Sequence, residues 1–121
     1  MAIIRIDRVN ETKQALSDAG MPSFWATGRV FGRGKGKWDA KVLEGVRNDQ
    51  PEALSILGPE PRLRPQRLIS LVVKSNKVKD AVNAIISANK TDSPGDGKIF
   101  VIPMSDAISV RSKDKGDTVL D

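Results

Sequence analysis

Apolar positions divide the first part of the chain into strand-like and helix-like stretches. The run AIIRI at residues 2–6 is typical of a short buried strand. Over residues 8–20, apolar side chains recur every three or four positions, which predicts an amphipathic helix that stops at Gly20. The segment SFWATGRVFG at residues 23–32 predicts a second strand with a bulge at Gly28.

The same order of elements returns in the second half. RLISLVV at residues 67–73 predicts a strand, and residues 75–89 predict a helix with Ser75 or Asn76 as its N-terminal cap. KIFVIP at residues 98–103 predicts a fourth strand. The sequence therefore contains two β-α-β units.

Two such units predict an α+β fold, a ferredoxin-like βαββαβ sandwich in which two helices cover one face of an antiparallel sheet. We expect a single domain over residues 1–121, with a further short strand at AISVRS, residues 107–112. The second sheet face lacks a cover, and an apolar face in a small chain is best buried by self-association. A small cyclic oligomer is therefore expected.

A long insertion at residues 33–66 separates the two units. Connections longer than about 15 residues are uncommon in compact domains and are usually functional or disordered. The segment from Arg29 to Arg67 carries nine Lys or Arg against five Asp or Glu, a net charge of +4 out of +5 for the chain. The insertion is therefore expected to meet an anionic ligand or partner.

Composition excludes several kinds of site. The chain has no cysteine and no histidine, which excludes disulfides, Cys/His zinc sites, thiol nucleophiles and imidazole bases. We predict no metal-ligating residues of the protein and no enzymatic activity, since no acid/base pair or nucleophile–base spacing stands out. Neither a membrane span nor a secretory signal is recognisable, so a cytoplasmic protein is expected.

The motif PGDGKIFV, which begins at Pro94, permits two interpretations. Asp-Gly before a strand is typical of an ordinary turn. Alternatively, Gly95 and Gly97 expose backbone N–H groups, Lys98 supplies a charge for a phosphate, and Asp96 accepts hydrogen bonds from a ribose or a base.

The segment FGRGKGKW at residues 31–38 is a second candidate binding element. It is either a solvated basic loop or a Gly-Arg arm for nucleic acid, with Trp38 stacking on a base. The chain has only five aromatic residues, so the nucleic-acid hypothesis is weakly supported. Arg111, in SVRS, is either a surface arginine or a phosphate contact.

Taken together, several separated motifs resemble the PII signal-transduction proteins. GDGKIFV with Thr91 four residues before its first glycine, FGRGKG before the long loop and RPQRLISLVV after it occur in the family's order over nearly the whole chain. The resemblance implies a trimer of ferredoxin-like subunits with ATP or ADP in the clefts between subunits. The long loop, about residues 33–66, would be the T-loop that reports to a target, and residues 112–121 a C-terminal tail.

The resemblance also assigns residues to the nucleotide. Ser109 stands where the family has a further phosphate-contacting arginine, so one charge is absent from the implied pocket. The implied nucleotide-binding residues are Gly32, Arg33, Gly34, Lys35, Gly95, Asp96, Gly97, Lys98 and Arg111.

The effector site implied by the resemblance departs from the family pattern. Family members that sense 2-oxoglutarate use a loop-base glutamine to help hold Mg²⁺, and glycine replaces it here (Gly34 or Gly36, depending on register). Gln66 falls where a lysine pairs with the effector, and Arg67 is adjacent. Losing a desolvated charge pair costs about 2–5 kcal/mol, so 2-oxoglutarate binding is expected to be weakened or absent unless Arg67 compensates.

Within the family, the motifs and the long loop resemble the nitrogenase-associated branch, in particular the longer-looped member of two paired paralogues. This resemblance implies a homotrimer or a mixed oligomer that inhibits dinitrogenase under nitrogen sufficiency, with relief by 2-oxoglutarate and ATP. An ammonium transporter or glutamine synthetase is the alternative target. Uridylylation of a loop tyrosine is excluded because the chain has none. The expected target-binding residues are Lys37, Trp38, Lys41, Arg47, Arg62 and Arg64.

Overall fold

A computed structural model describes residues 1–32 and 63–121 of the protein. Single 3₁₀ turns, Ile6–Arg8 and Ser75–Lys77, lead into the two helices, and a third, Gly116–Val119, lies near the C-terminus. The strands and helices are β1 (Ala2–Ile4), α1 (Val9–Asp18), β2 (Trp25–Gly32), β3 (Arg64–Ser70), α2 (Val78–Asn89) and β4 (Gly97–Ile99).

The four strands form one sheet in the order β2-β3-β1-β4. All three neighbouring pairs are antiparallel, with β1 between β3 and β4 and with β2 on the outer side of β3. This arrangement confirms the predicted α+β ferredoxin-like sandwich.

The hydrophobic core lies between the sheet and the two helices. Ala2, Ile4 and Ile69 from the sheet are buried against Leu16 of α1 and Ile85 of α2. Because side chains alternate along a strand, the partners Ala2–Ile69 fix which face of the sheet meets the helices. Each fully buried aliphatic side chain contributes about 1.5–3 kcal/mol to stability.

The other face of the sheet is not covered by any helix in the described part of the chain. It presents the row Lys98–Ile3–Leu68 across β4, β1 and β3. Trp25, opposite Ser70 on the same face, is 63% exposed. The predicted oligomer would cover this face, but it remains a prediction.

Strand β3 is displaced towards the insertion relative to the sequence prediction. It spans Arg64–Ser70 instead of residues 67–73, so residues 64–66 belong to the sheet and not to the predicted loop. Pro65 is tolerated there because β1 pairs with β3 only as far as Arg67, which leaves Pro65 bonded on the β2 side alone. β3 ends at Ser70 because neither β1 nor β2 pairs with it beyond that residue.

The prediction for β4 was also too long. β4 ends at Ile99. Beyond it, Phe100 N–H donates to the Met1 carbonyl and the N-terminal ammonium of Met1 donates to the Phe100 carbonyl, and β1 offers no further partner beyond Met1. The predicted strand at residues 107–112 is reduced to a single bridge between Ile108 and Lys115.

The C-terminal tail turns back towards the sheet. The Asp121 carboxylate accepts hydrogen bonds from Ser23 N–H at 2.7 Å and from the Ser23 hydroxyl at 3.0 Å, just before β2. Residues 112–121 are therefore tied to the domain instead of extending from it.

The predicted helix stop at Gly20 and the predicted bulge at Gly28 are confirmed, whereas the predicted helix cap is wrong. Gly20, with φ +83°, follows the end of α1, and the pairing of β2 with β3 shifts by one residue around Gly28, as expected for a bulge. The predicted cap at Ser75 or Asn76 is wrong, because these residues form a 3₁₀ turn. Lys77 precedes α2 without a side-chain cap.

Candidate functional site

Residues 91–98, called the 91–98 turn below, comprise the connection from α2 to β4 and the first two residues of β4, and they are organised around the Asp96 carboxylate. That carboxylate accepts hydrogen bonds from Thr91 N–H at 2.7 Å, from Ser93 N–H at 3.4 Å and from the Thr91 hydroxyl. Both oxygens of Asp96 are thus used within the turn. The structure therefore gives Asp96 an internal role in shaping the motif.

Arg5, at the end of β1, fixes the same turn from outside. Its Nε donates to the Gly95 carbonyl at 3.0 Å and its Nη2 to the Pro94 carbonyl at 3.1 Å. Nη2 also lies 3.2 Å from Asp96 Oδ1. Sequence reasoning missed Arg5, because only the pairing of Ile4 with Gly97 brings the end of β1 beside this turn.

Hydrogen bonding lowers the pKa of Asp96 below its ordinary value. The Thr91 hydroxyl is the largest cause, followed by the Thr91 N–H. Ser93 N–H and the charge of Arg5 act in the same direction, and partial burial opposes them. The side chain therefore remains an anion at neutral pH.

Both glycines of the motif are required by the backbone itself. Gly95 and Gly97 have φ values of +91° and +128°, which other residues rarely adopt. At Gly97 a Cβ atom would stand 2.3 Å from the Ile3 carbonyl oxygen. These glycines thus have a structural explanation even before any ligand is considered.

Lys98 remains available to a ligand. It is exposed and forms no ion pair within the described residues. On the helix side of the sheet, a cavity of about 330 Å³ lies between α2 and β4. The cavity is lined by Ile4, Val82, Ile85, Ile86 and Ile99, together with Asn89, Lys90, Asp96, Gly97 and Lys98.

A larger cavity of about 610 Å³ is bounded by the start of α2, the end of β3 and the C-terminal segment. None of the residues predicted to bind nucleotide or effector lines it.

The predicted effector residues in β3 lie on opposite faces of the sheet. Arg67 pairs with Ile4, which is buried on the helix side, whereas Gln66 alternates to the bare face that also carries Lys98. The side chain of Arg67 therefore does not occupy the position of the Gln66 side chain, where the family's lysine would pair with the effector.

Gly32 closes the described part of β2 beside Gln66. It pairs with Arg64, and a Cβ atom at Gly32 would stand 2.9 Å from Gln66 Oε1. The predicted target-binding residue Arg64 lies in β3. The remaining predicted loop residues, Arg33, Gly34, Lys35, Gly36, Lys37, Trp38, Lys41, Arg47 and Arg62, lie outside the described residues.

Arg111 is exposed in a tight turn of the C-terminal segment. Ser109 anchors that turn, because its N–H donates to the Asp114 carbonyl and its carbonyl accepts from Lys113 N–H, both at 2.8 Å. Within the described chain, no hydrogen bond or ion pair links Arg111 to the 91–98 turn. One subunit thus does not bring these predicted phosphate contacts together.

The described residues contain no helix long and apolar enough to cross a membrane. Nor do residues 1–32 and 63–121 contain a cluster of three or more side chains suited to holding a metal ion.

Comparisons with known proteins agree with this architecture. A sequence model for the family "Nitrogen regulatory protein P-II" matches residues 1–114. The Methanobacterium ivanovii "Nitrogen fixation nifHD region GlnB-like protein 2" is 41% identical over 120 residues, which cover 99% of this chain and 96% of that protein. The Cereibacter sphaeroides "Nitrogen regulatory protein P-II" is 34% identical over 116 residues, covering 96% and 93%.

A solved structure is similar over the same extent. The crystal structure of Arabidopsis thaliana PII bound to citrate matches with a TM-score of 0.70 and 28% sequence identity. The match covers 97% of this chain and 85% of that one.

Proposed function

Because the chain belongs to the nitrogen regulatory protein P-II family, we propose that it is a non-enzymatic, cytoplasmic signalling protein that binds ATP or ADP. Nucleotide binding stabilises one state of its T-loop, and a target protein binds that state better. Two sites coupled through one loop are sufficient for such regulation, and coupling free energies of about 1–3 kcal/mol are typical.

The observation that carries this proposal is the geometry of the 91–98 turn. Arg5 and Thr91 hold Asp96 and the two glycines in place without any ligand. Lys98 stands at the open side of the turn with no ion-pair partner in the described chain. A preorganised turn with an available lysine suits a phosphate group, since little conformational freedom is lost on binding.

We propose further that the nucleotide lies between subunits of a homotrimer or of a mixed oligomer with a shorter-looped paralogue. The uncovered sheet face, with Trp25 exposed, offers an apolar surface for assembly. Arg111 would then reach the phosphates from a neighbouring subunit, which accounts for its lack of contact with the 91–98 turn in its own subunit.

Dinitrogenase is the proposed target. Relatives from methanogens that are 38–41% identical carry names that refer to a nitrogen fixation region. The basic insertion suits an acidic surface and predicts salt-sensitive binding. An ammonium transporter or glutamine synthetase is the second candidate, because other relatives are named only as nitrogen regulatory proteins.

We also propose that the protein binds a carboxylate effector together with Mg²⁺. The Arabidopsis relative was solved with citrate, a carboxylate. For this chain we expect weak binding of 2-oxoglutarate, since Gln66 is uncharged and Arg67 lies on the opposite sheet face.

The proposal is tested by measuring substrate reduction by purified dinitrogenase with and without this protein and Mg·ATP. We expect inhibition that depends on nucleotide, that 2-oxoglutarate relieves if it binds, and that Lys98→Ala weakens. Lys13→Ala, an exposed lysine on α1, is the matched control and should inhibit as the native chain does. Equal inhibition by both variants, or none by the native protein alone or with its paralogue, would contradict the proposal.

A further inference from the structure

Arg29 of β2 and Arg67 of β3 are direct cross-strand neighbours. Side chains at such positions lie on one face of the sheet, with Cβ atoms about 4.5–5.5 Å apart. Like charges placed directly opposite each other destabilise a sheet. The pair is therefore unfavourable unless an anion lies close to both guanidinium groups.

Among the residues that the structure describes, the Arg67 side chain has no hydrogen-bond or ion-pair partner. Its Nε is buried without a hydrogen-bond acceptor in the described chain. No ion pair to Arg29 or Arg67 is formed within the described residues. Buried polar atoms are almost always paired, so an unsatisfied one points to an acceptor supplied from elsewhere.

The burial also orients the guanidinium group. The terminal amino groups of Arg67 have no hydrogen bond or ion pair within the described residues and are not among the buried unpaired atoms, so they keep access to solvent. Arg29, on the outer strand, is exposed. The two arginines are therefore paired across the strands, with Arg29 exposed and the Nε atom of Arg67 buried.

The groups around this pair do not neutralise it. On the same face of the sheet, the nearest pairs of this ladder are the apolar pairs Ala26–Ile69 and Phe31–Pro65. The 3₁₀ turn that packs against β3 carries both Asp7 and Arg8, which offset each other, and Asp7 is within ion-pair distance of neither arginine. The local charge is thus positive.

We propose that Arg29 and Arg67 form a binding site for a small oxyanion, either a carboxylate or a phosphate. A guanidinium fork matches two oxygens of such a group, and an anion shared between two forks removes their mutual repulsion. Because Arg67 faces the helix side of the sheet and Lys98 faces the other side, this site is separate from the proposed nucleotide site. The inference does not depend on nucleotide binding.

Thermal unfolding of the full chain with succinate and, separately, with inorganic phosphate tests the site. Each titration is compared with sodium chloride at equal ionic strength. We expect one of the two anions to raise the native protein's Tm saturably, and that anion identifies the ligand class. Arg29→Gln should weaken the response by roughly tenfold or more in anion concentration, because a charge-assisted pair is lost.

Three further variants make the test specific. Lys13→Gln removes an equal charge at an exposed site on α1 and should keep the full response. Lys98→Ala should keep the part of the response that Arg29→Gln removes, which separates this site from the proposed nucleotide site. Arg29→Lys should restore part of the response, and without added anion Arg29→Gln should unfold at a higher temperature than the native chain.

The proposal is wrong if neither anion raises the Tm beyond the chloride control. It is equally wrong if Arg29→Gln responds like the native protein, or if Lys98→Ala abolishes the response, since the anion would then occupy another site. The variants replace the exposed Arg29 and leave the partly buried Arg67 unchanged. A folding defect caused by replacing Arg67 therefore does not enter the result.

Discussion

Arg5 Nη2 lies 3.2 Å from Asp96 Oδ1 and joins the end of β1 to the turn that precedes β4. The same guanidinium group donates to the carbonyls of Pro94 and Gly95. One side chain directly after β1, an inner strand of the sheet, thereby sets the position of a whole turn. If this turn binds phosphate, Arg5 acts as a positioning residue through these contacts.

Replacing Arg5 is therefore expected to weaken nucleotide binding indirectly. Arg5→Ala should reduce the affinity for Mg·ATP by roughly tenfold, the effect of losing one or two charged hydrogen bonds. Arg5→Lys keeps the charge but not the fork, so it should recover part of the affinity. Calorimetry well below the Tm of each variant checks this, and affinity that is unchanged in Arg5→Ala would remove Arg5 from the site.

The ionisation of Asp96 predicts a specific dependence of stability on pH. Since its pKa is lowered in the folded state, it stabilises the fold fully above its unfolded pKa of about 3.9. That contribution is lost as the pH falls through the lower folded value. Asp96→Asn should therefore lose less stability than the native protein as the pH falls below about 4, as measured by urea unfolding.

Asp92→Asn is a matched control for this experiment. Asp92 is 83% exposed on its side chain, and its φ of +59° is one that asparagine also adopts. It should follow the native pH profile. If Asp96→Asn also follows that profile, the hydrogen bonds around Asp96 do not stabilise the fold as described.

Gly97 should be the most sensitive glycine of the motif. Gly97→Ala combines a φ of +128°, which costs about 1–3 kcal/mol for a residue with a side chain, with a Cβ only 2.3 Å from the Ile3 carbonyl oxygen. We expect the free energy of unfolding to fall by about 3 kcal/mol or more. Chemical denaturation measures the loss.

Gly28→Ala provides the comparison for Gly97. No atom lies within 4 Å of the Cβ position at Gly28, and its φ is not in the left-handed region. A change within about 0.5 kcal/mol is expected. Similar losses for the two variants would show that close approach to β1 does not explain Gly97.

Two structural features that depend on single residues were predicted correctly, whereas the ends of two strands were not. The stop at Gly20 and the bulge at Gly28 follow from single residues and are confirmed. The ends of β3 and β4 depend on where the neighbouring strands begin and stop, which no local pattern contains. The contribution of Arg5 was missed for the same reason, because it arises from the pairing of Ile4 with Gly97.

The candidate site was predictable to the extent that it is local in sequence. GDGK is a continuous segment at residues 95–98, and both of its glycines have positive φ. The relation between Gln66 and Arg67 was not anticipated, although strand alternation alone places adjacent residues on opposite faces. The pairing register between β3 and β1 was needed to decide which of the two residues faces the helices.

The T-loop should be separable from the rest of the protein. Deletion of residues 37–62 is expected to abolish inhibition of dinitrogenase, while nucleotide binding and oligomer assembly survive. Light scattering and calorimetry test the latter two, and the activity assay tests the first. Continued inhibition by the shortened chain would place the target-binding surface outside the loop.

The measurement that tests the central claim most directly is calorimetric titration of the purified protein with Mg·ATP, followed by 2-oxoglutarate. We predict saturable binding of ATP, with a weak or absent response to 2-oxoglutarate. A strong second response would show that another group replaces the charge missing at Gln66. No binding of ATP or ADP, by the chain alone or mixed with its paralogue, would contradict the account and leave the 91–98 turn as a structural connection only.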